Sequence, residues 1–337
     1  MNEKRTKKEK QIPGMVFPEA EWEKSAPVEF GLCPDALEDI GRKMELAQAN
    51  GVLCCKGRLV AEWNYAGPPD KMIEVQSITK AVTGTILGLA IQDKLIPHLD
   101  VRVKDYWPGF NGGPYEKEIT FRHLISATSG LKPTRQLSTY LHDDYRKPGM
   151  ESSYHNDHTM NLADALTYLF QQDLELVLND RVLKPIGAGA SWGSLEPPVK
   201  LADGRDVRRV AGFCNTWWTS GNLARLGHLY LNSGAWNGKQ IIPGDYAREC
   251  FSPVGLPVLP FWKPFPDPER MQRRNYSLAW WAWQANDGRW LWYMFGHGGQ
   301  FCLVMPENGI VMTKINDCSV RPIVEIWDMA ERICDLT

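Results

Sequence analysis

The chain has no long apolar run. Its longest apolar stretch, around Ala81 to Ile91, is too short to span a bilayer and contains two glycines, so it reads as a buried helix. It has almost no net charge: 38 Lys+Arg stand against 40 Asp+Glu, leaving −2. That balance excludes a whole-protein basic footprint for nucleic acid. The eight cysteines (Cys33, Cys54, Cys55, Cys214, Cys250, Cys302, Cys318, Cys334) contain no CxxC pair and no metal spacing. Cys54 and Cys55 are neighbours within a strand-like run, where side chains alternate faces, so they are not expected to bridge. The basic opening MNEKRTKKEKQIPG leads into no apolar h-region, so no secretory signal is visible. The thiols are then expected to be reduced and space-filling, in a cytoplasmic protein. No internal repeat or low-complexity tract is present.

What remains is globular. At 43% hydrophobic and 23% charged the chain can bury a large core. Its 337 residues predict about two lobes at roughly 150 residues each. Fourteen Trp point to aromatic-lined surfaces as well as core.

Residues 1–24 read as a solvated tail. ALEDIGRKMELAQA follows as an amphipathic helix opened by Pro34 and Asp35. GVLCCKGRLVAEWNYA reads as a hairpin turning at Lys56-Gly57. A long helical region comes next. SITKAVTGTILGLAIQDKL, ITFRHLISATSG (Thr120 as N-cap, Gly130 beyond the end), NLADALTYLFQQ, LELVLNDRVLKPIG and SGNLARLGHLYLNSG are its helices. Strand patterns return from Tyr276 in YSLAWWAWQAN, DGRWLWYMFGHGG and FCLVMPENGIVMTKIN, and PIVEIWDMAERICDL closes as a helix.

Neither strand set buries both its faces alone, so the two should join in one sheet. The predicted fold is α/β of the α+β type. An antiparallel sheet of about five strands is flanked by N- and C-terminal helices, with an all-helical lobe inserted. The sheet lobe takes residues 25–65 and 275–337, the helical lobe 66–274, and the site lies in the cleft between them.

Three short motifs can carry chemistry. Ser77 and Lys80 in Ser77-Ile78-Thr79-Lys80 share a helix face, so the ammonium can approach the hydroxyl. The helix N-terminus favours negative charge at Ser77, and a desolvated lysine can act as base. A capping serine beside a surface lysine has the same spelling. Tyr154-His155-Asn156 precedes a helix that Asn156 or Asp157 can cap; a phenol near a cationic lysine loses its proton more readily. An ordinary loop tyrosine fits equally. His297-Gly298-Gly299-Gln300 lies between two strands, where the glycines allow close approach and a free N–H can pair with that of Ser77 as an oxyanion hole. A plain hairpin turn is its alternative.

In this order and setting, the chain resembles the serine β-lactamase and penicillin-binding-protein-like superfamily, particularly its class C-like and family VIII esterase branch. TFRHLISATSGL, WWTSGNLARLGHLYLNSGAWNGKQIIP and FGHGGQFCLVMPENGIVM also look like that family, and the resemblance covers roughly residues 35–335. It implies Ser77 as acylated nucleophile, Lys80 as its base, and Tyr154 as proton shuttle for the leaving group and for deacylation. Asn156 would bind substrate or hold Lys80. The N–H groups of Ser77 and Gln300 would form the oxyanion hole, with His297, Gly298 and Gly299 shaping the strand edge. A one-residue shift would put His155 in place of Tyr154. No Glu-dependent deacylation box is evident.

Two motifs compete. Gly189-Ala190-Ser191-Trp192-Gly193 matches GxSxG, but that elbow requires a strand-to-helix turn, and here loop is expected over SLEPPVKLADG. His155, Asn156, Asp157 and His158, with His142, Asp143 and Asp144 nearby, lack zinc spacing. Among the tryptophans, alternation puts Trp281 and Trp283 on one sheet face and Trp280 with Ala282 on the other. One or two tryptophans could line the cleft.

The expected function is a serine hydrolase working through an acyl-enzyme, a carboxylesterase on small or medium esters. Penicillin-recognising relatives usually place a lysine in the third motif, a fixed cation for the substrate carboxylate; His297 stands there instead, which weakens carboxylate recognition. A β-lactamase, a D-residue peptidase or other amide hydrolase, an acyltransferase and a non-catalytic ligand-binding homologue are the alternatives. No metal or organic cofactor is implied. The partner is a small-molecule ester or amide, with no nucleic acid and no membrane, and the sequence leaves the oligomeric state open.

Overall fold

The computed structural model describes residues 12–134, 144–253 and 273–337. Its centre is a seven-stranded antiparallel sheet. The strands are β1 (Asn50–Cys55), β2 (Arg58–Asn64), β3 (Arg274–Tyr276), β4 (Trp281–Gln284), β5 (Trp290–Gly296), β6 (Gln300–Met305) and β7 (Ile310–Lys314). Their order across the sheet is β3-β4-β5-β6-β7-β1-β2, so the N-terminal hairpin joins the C-terminal strands through β1 and β7, with Leu53 opposite Met312.

About five strands were expected, and two of the expected runs prove to be pairs. Ala279, at φ +62°, bends YSLAWWAWQ into β3 and β4. The Pro306–Gly309 turn, with Gly309 at φ +69°, folds FCLVMPENGIVMTK into the hairpin β6–β7.

Both faces of the sheet are buried, and alternation sorts the residues between them. Leu53 and Cys55 join Trp281, Trp283 and Met312 on one face, covered by Ala36, Ile40 and Met44 of helix α1 (Pro34–Leu46) and by Ile333. Val52 and Cys54 join Trp280, Ala282 and Val311 on the other. Cys54 and Cys55 thus face opposite ways, and the tryptophans divide as their alternation predicts. The closing helix is shorter than expected: a 3-10 turn at Ile326–Asp328, then Ala330–Cys334.

Between the two strand sets lie helix α2 (Thr79–Gln92), helix α3 (Asn156–Phe170) packed across it, and helix α4 (Ser220–Leu231). Thr79 through Ala90 are all buried, as the apolar run around Ala81 to Ile91 implied. Gly227 lets α4 lie directly on the sheet; a Cβ there would sit 2.7 Å from Val311 and 2.8 Å from Cys302.

The insertion is not all-helical. Ile73–Glu74, Thr216–Trp218 and Ser191–Trp192 form a small sheet, and Ser194–Lys200 pairs with Asp206–Val210. The second hairpin covers SLEPPVKLADG, expected as loop. Its prolines fall where the register shifts, between Leu195 and Val199, so they leave the ladder intact on either side.

The expected tail is also shorter than 24 residues. Residues 12–24 lie along β2, the sheet edge: Leu59 N–H donates to Glu23 O at 2.8 Å, and Val16 N–H to Lys56 O at 3.0 Å. Buried Arg225 donates to Pro18 O and Ala20 O and stacks over Trp22. An edge strand with unpaired N–H groups is thereby covered. Among the described residues, no helix is long and apolar enough to cross a membrane.

Candidate active site

The segment before α2 is a short strand, a reversal and a tight turn. Ile73–Glu74 is pinned by Trp218 and Trp217. Gln76 then takes φ +52°, an unusual conformation for a residue with a side chain, and Gln76–Ile78 makes one 3-10 turn running into α2. Ser77 therefore stands at the entrance of a fourteen-residue helix, where backbone N–H groups and the helix dipole favour negative charge.

One turn on, Lys80 is buried at 2% exposure. Its Nζ donates to Ser77 Oγ at 2.9 Å and to Asn156 Oδ1 at 2.8 Å. It lies 4.8 Å from the centre of the Tyr154 ring and 5.6 Å from that of Phe213. Burial disfavours the ammonium and lowers its pKa to about 7. A lysine that is half free amine at neutral pH, in contact with a serine hydroxyl, can accept that hydroxyl's proton.

Asn156 was expected as a possible helix cap. The cap position is His155, with no side-chain cap bond, and Asn156 is the first helical residue. Its amide oxygen serves Lys80 instead.

The ring beside Ser77 and Lys80 is that of Tyr154. Its phenol hydrogen-bonds Ser77 and Trp281, and it packs edge-on to Tyr276 at 5.4 Å. The expectation that a nearby lysine eases loss of the phenol proton is reversed. Burial pushes Tyr154 up to about 12, outweighing the hydrogen bonds from Ser77 and Trp281 and the field of Arg274. Lys80 is itself only about half charged at neutral pH, and the phenol stays protonated there. His155 is engaged elsewhere: its Nδ1 is 3.1 Å from Asp157 Oδ2, and its ring stacks on His158 at 3.8 Å. Asp157 in turn accepts from the Thr134 hydroxyl at 2.7 Å.

The third motif is the turn between β5 and β6. Gly296 faces Gln300 across the ladder, leaving His297, Gly298 and Gly299 as the loop. Gly296 lies so close to the nucleophile segment that a Cβ would come 2.4 Å from Val75 O. Gln300 Nε2 donates to Glu74 O at 3.1 Å, tying β6 to the strand that leads to Ser77. Gln300 opens β6 opposite Gly296, at the end of the ladder nearest the Ser77 segment. The His297 imidazole itself is exposed.

The competing motifs lie apart. Ser191 is exposed on Ser191–Trp192, paired with Trp217, and no helix follows it as a nucleophile elbow requires. His158 uses both ring nitrogens, on Ser129 Oγ at 2.8 Å and Ser153 O at 2.7 Å. His142 and Asp143 lie outside the described residues, as does most of the 252–275 segment. Among the described residues, no group of three or more His, Cys, Asp or Glu is placed to hold a metal.

Sequence reasoning missed Phe213 and Glu74, which carry no motif, and Arg274, whose guanidinium lies 4.2 Å from the Trp281 ring centre. Trp281 was among the tryptophans considered for the cleft, and its alternation with Trp280 was the available signal.

Comparison with known proteins bears on the family and the fold. The beta-lactamase family model matches residues 55–315. A penicillin-binding protein homolog from Caulobacter crescentus superposes with a TM-score of 0.66 at 15% identity, covering 90% of this chain and 97% of that one. The octameric penicillin-binding protein homologue from Pyrococcus abyssi gives 0.67 at 15% identity, covering 90% and 76%. A D-stereospecific amidohydrolase from Streptomyces sp. gives 0.59 at 17% identity, covering 82% and 94%. A search of curated proteins found no match.

Proposed function

The chain belongs to the beta-lactamase family of serine hydrolases, and from that premise we propose that it is a carboxylesterase of the class C-like and family VIII branch, acting on small or medium esters through an acyl-enzyme on Ser77. The observation that carries the reading is the contact of Lys80 Nζ with Ser77 Oγ at 2.9 Å, with the Tyr154 phenol bonded to the same hydroxyl.

In this mechanism Lys80, as free amine, takes the Ser77 proton while Oγ attacks the acyl carbon. The developing oxyanion is met by the Ser77 N–H and an N–H of the His297–Gln300 turn. Tyr154, held protonated by burial, hands its proton to the leaving alkoxide and is reprotonated from Lys80. Water then attacks the acyl carbon as the same relay takes its proton, and the relay returns that proton to Ser77 Oγ as its bond to the acyl carbon breaks and the acid leaves. Asn156 Oδ1 accepts one Lys80 N–H and so holds the amine beside Ser77, where its lone pair can take the hydroxyl proton. The preference for esters over β-lactams rests on His297, exposed where a carboxylate-binding lysine would stand. The free cysteines, five of them buried, fit a reducing cytoplasmic compartment.

A second reading is amide hydrolysis. An amine leaves only once protonated, and a phenol at about 12 beside the nucleophile is suited to donate.

Hydrolysis of a p-nitrophenyl ester series beside a chromogenic cephalosporin and a D-amino-acid amide, with Ser77→Ala and Ser191→Ala, tests both readings. Ester turnover lost only in Ser77→Ala supports the proposal. Dominant amide or cephalosporin turnover transfers it to the second reading, and a dead Ser191→Ala overturns the site.

A further inference from the structure

All three carbonyls of the His297–Gly299 turn are held by side chains that are themselves buried. Gln300 Nε2 donates to His297 O at 3.2 Å, Asn316 Nδ2 to Gly298 O at 3.3 Å and Lys314 Nζ to Gly299 O at 3.0 Å. Lys314 Nζ also donates to Asn316 Oδ1 at 2.9 Å, so the two act as a unit at the end of β7.

This arrangement is costly. Lys314 is fully buried, and an ammonium out of water is disfavoured unless paired and hydrogen-bonded. The fields of Glu325 and Asp328 offset part of that cost. A leucine would fill the same core position without it. What the lysine adds is a grip on the turn.

That grip matters because of what the turn is made of. Gly298 and Gly299 stand at φ +86° and +78°. A Cβ would come 2.7 Å from Cys318 Cα at the first and 2.2 Å from Val324 O at the second. Only glycine fits, and a glycine pair is the backbone most ready to sample other conformations. In a planar trans peptide the C=O and N–H point in opposite directions. Fixing the carbonyls of Gly298 and Gly299 from the β7 side therefore fixes where the N–H groups of Gly299 and Gln300 point. With His297 O held as well, the loop that abuts the Ser77 segment has one conformation.

We propose that Lys314, acting with Asn316, is a positioning residue for the reaction: it holds the His297–Gly299 turn so that its N–H groups are aimed for the tetrahedral oxyanion. The inference rests on the proposed reading of Ser77 and this turn as the acylating site.

The test compares wild type, Lys314→Met, Asn316→Leu and Ser77→Ala, with active sites titrated by a serine-reactive phosphonate. For each, kcat and KM on a p-nitrophenyl ester, affinity for an alkyl boronic acid and Tm are measured. The boronic acid adds to Ser77 as a tetrahedral anion and so reports the oxyanion site directly. Lys314→Met is expected to lose about ten- to a hundredfold in kcat per titrated site and in boronate affinity. KM should stay within about twofold, since stabilisation specific to the tetrahedral state is removed. Asn316→Leu should lose less, in the same direction. A purely structural lysine would lower Tm and the titratable fraction but leave both other readouts unchanged, and that result overturns the inference. If Lys314→Met fails to fold, Asn316→Leu decides by the same two outcomes. Activity surviving in Ser77→Ala overturns the reading of the site itself, whereas a dead Ser77→Ala beside wild-type kcat in Lys314→Met overturns only the inference.

Discussion

Lys80 Nζ lies 2.8 Å from Asn156 Oδ1, a neutral oxygen where a carboxylate would fit. The choice of amide over acid sets the charge state of the lysine. An amide orients the amine without stabilising its protonated form, and burial then brings Lys80 to about 7. Below that pH the ammonium has no lone pair for Ser77; above it the free amine does. The ester kcat/KM should therefore rise with pH through about 7 and then level.

Asn156→Asp should move that rise. A carboxylate in contact with Lys80 favours the ammonium by about one to three pKa units, so the ascending limb should shift to higher pH and the rate at pH 7 should fall about tenfold or more. A pH–rate profile of the variant checks this. An unmoved limb would mean that another group is the base.

Tyr154→Phe separates leaving groups. The phenol is protonated across neutral pH, so its removal deletes an acid, a loss of about 10²–10⁴ where the leaving group needs a proton. A p-nitrophenolate leaves without one. Alkyl esters should thus lose far more kcat/KM, which reports acylation alone, than p-nitrophenyl esters of the same acid, and equal losses on both would rule out Tyr154 as the acid for the leaving group.

The architecture was legible where side-chain period and turn chemistry agree. Cys54 and Cys55 alternate, Thr120 caps His123 N–H at 3.2 Å, and the tryptophans divide between the sheet faces. Ser77 and Lys80 were legible because helix spacing puts them on one face, whereas Tyr154 and Asn156 were reached only through the resemblance to a family in which the three motifs follow in this order. What was not legible depended on contacts distant in sequence. Nothing local marks residues 12–24 as the cover of β2, because their partners are Leu59, Arg225 and His228. The bend at Ala279 breaks an unbroken apolar run. Lys314 looks like an ordinary strand-end lysine, and only the fold shows that it grips Gly299.

Removing residues 1–24 tests the covering segment. It strips Leu59 N–H of its acceptor and buried Arg225 of two carbonyl acceptors. Each buried donor left unsatisfied costs about 1–3 kcal/mol, so the truncated chain should be destabilised by at least about 3 kcal/mol in urea unfolding. Unchanged stability would show that water replaces the segment without cost.

Gly296→Ala tests the approach of the hairpin to the nucleophile. The added methyl would meet Val75 O, a backbone atom two residues before Ser77, at 2.4 Å. Gln300 Nε2 on Glu74 O resists sliding along that segment, so the strain should be relieved by moving β5 away from it. A displacement near 1 Å of a group that must meet the transition state costs about 10²-fold in rate. We therefore expect kcat on a p-nitrophenyl ester to fall by about that factor, while the core behind β5 keeps the protein folded. Wild-type kcat with unchanged Tm would mean that the two segments can part without loss, and the turn would then have no share in the chemistry.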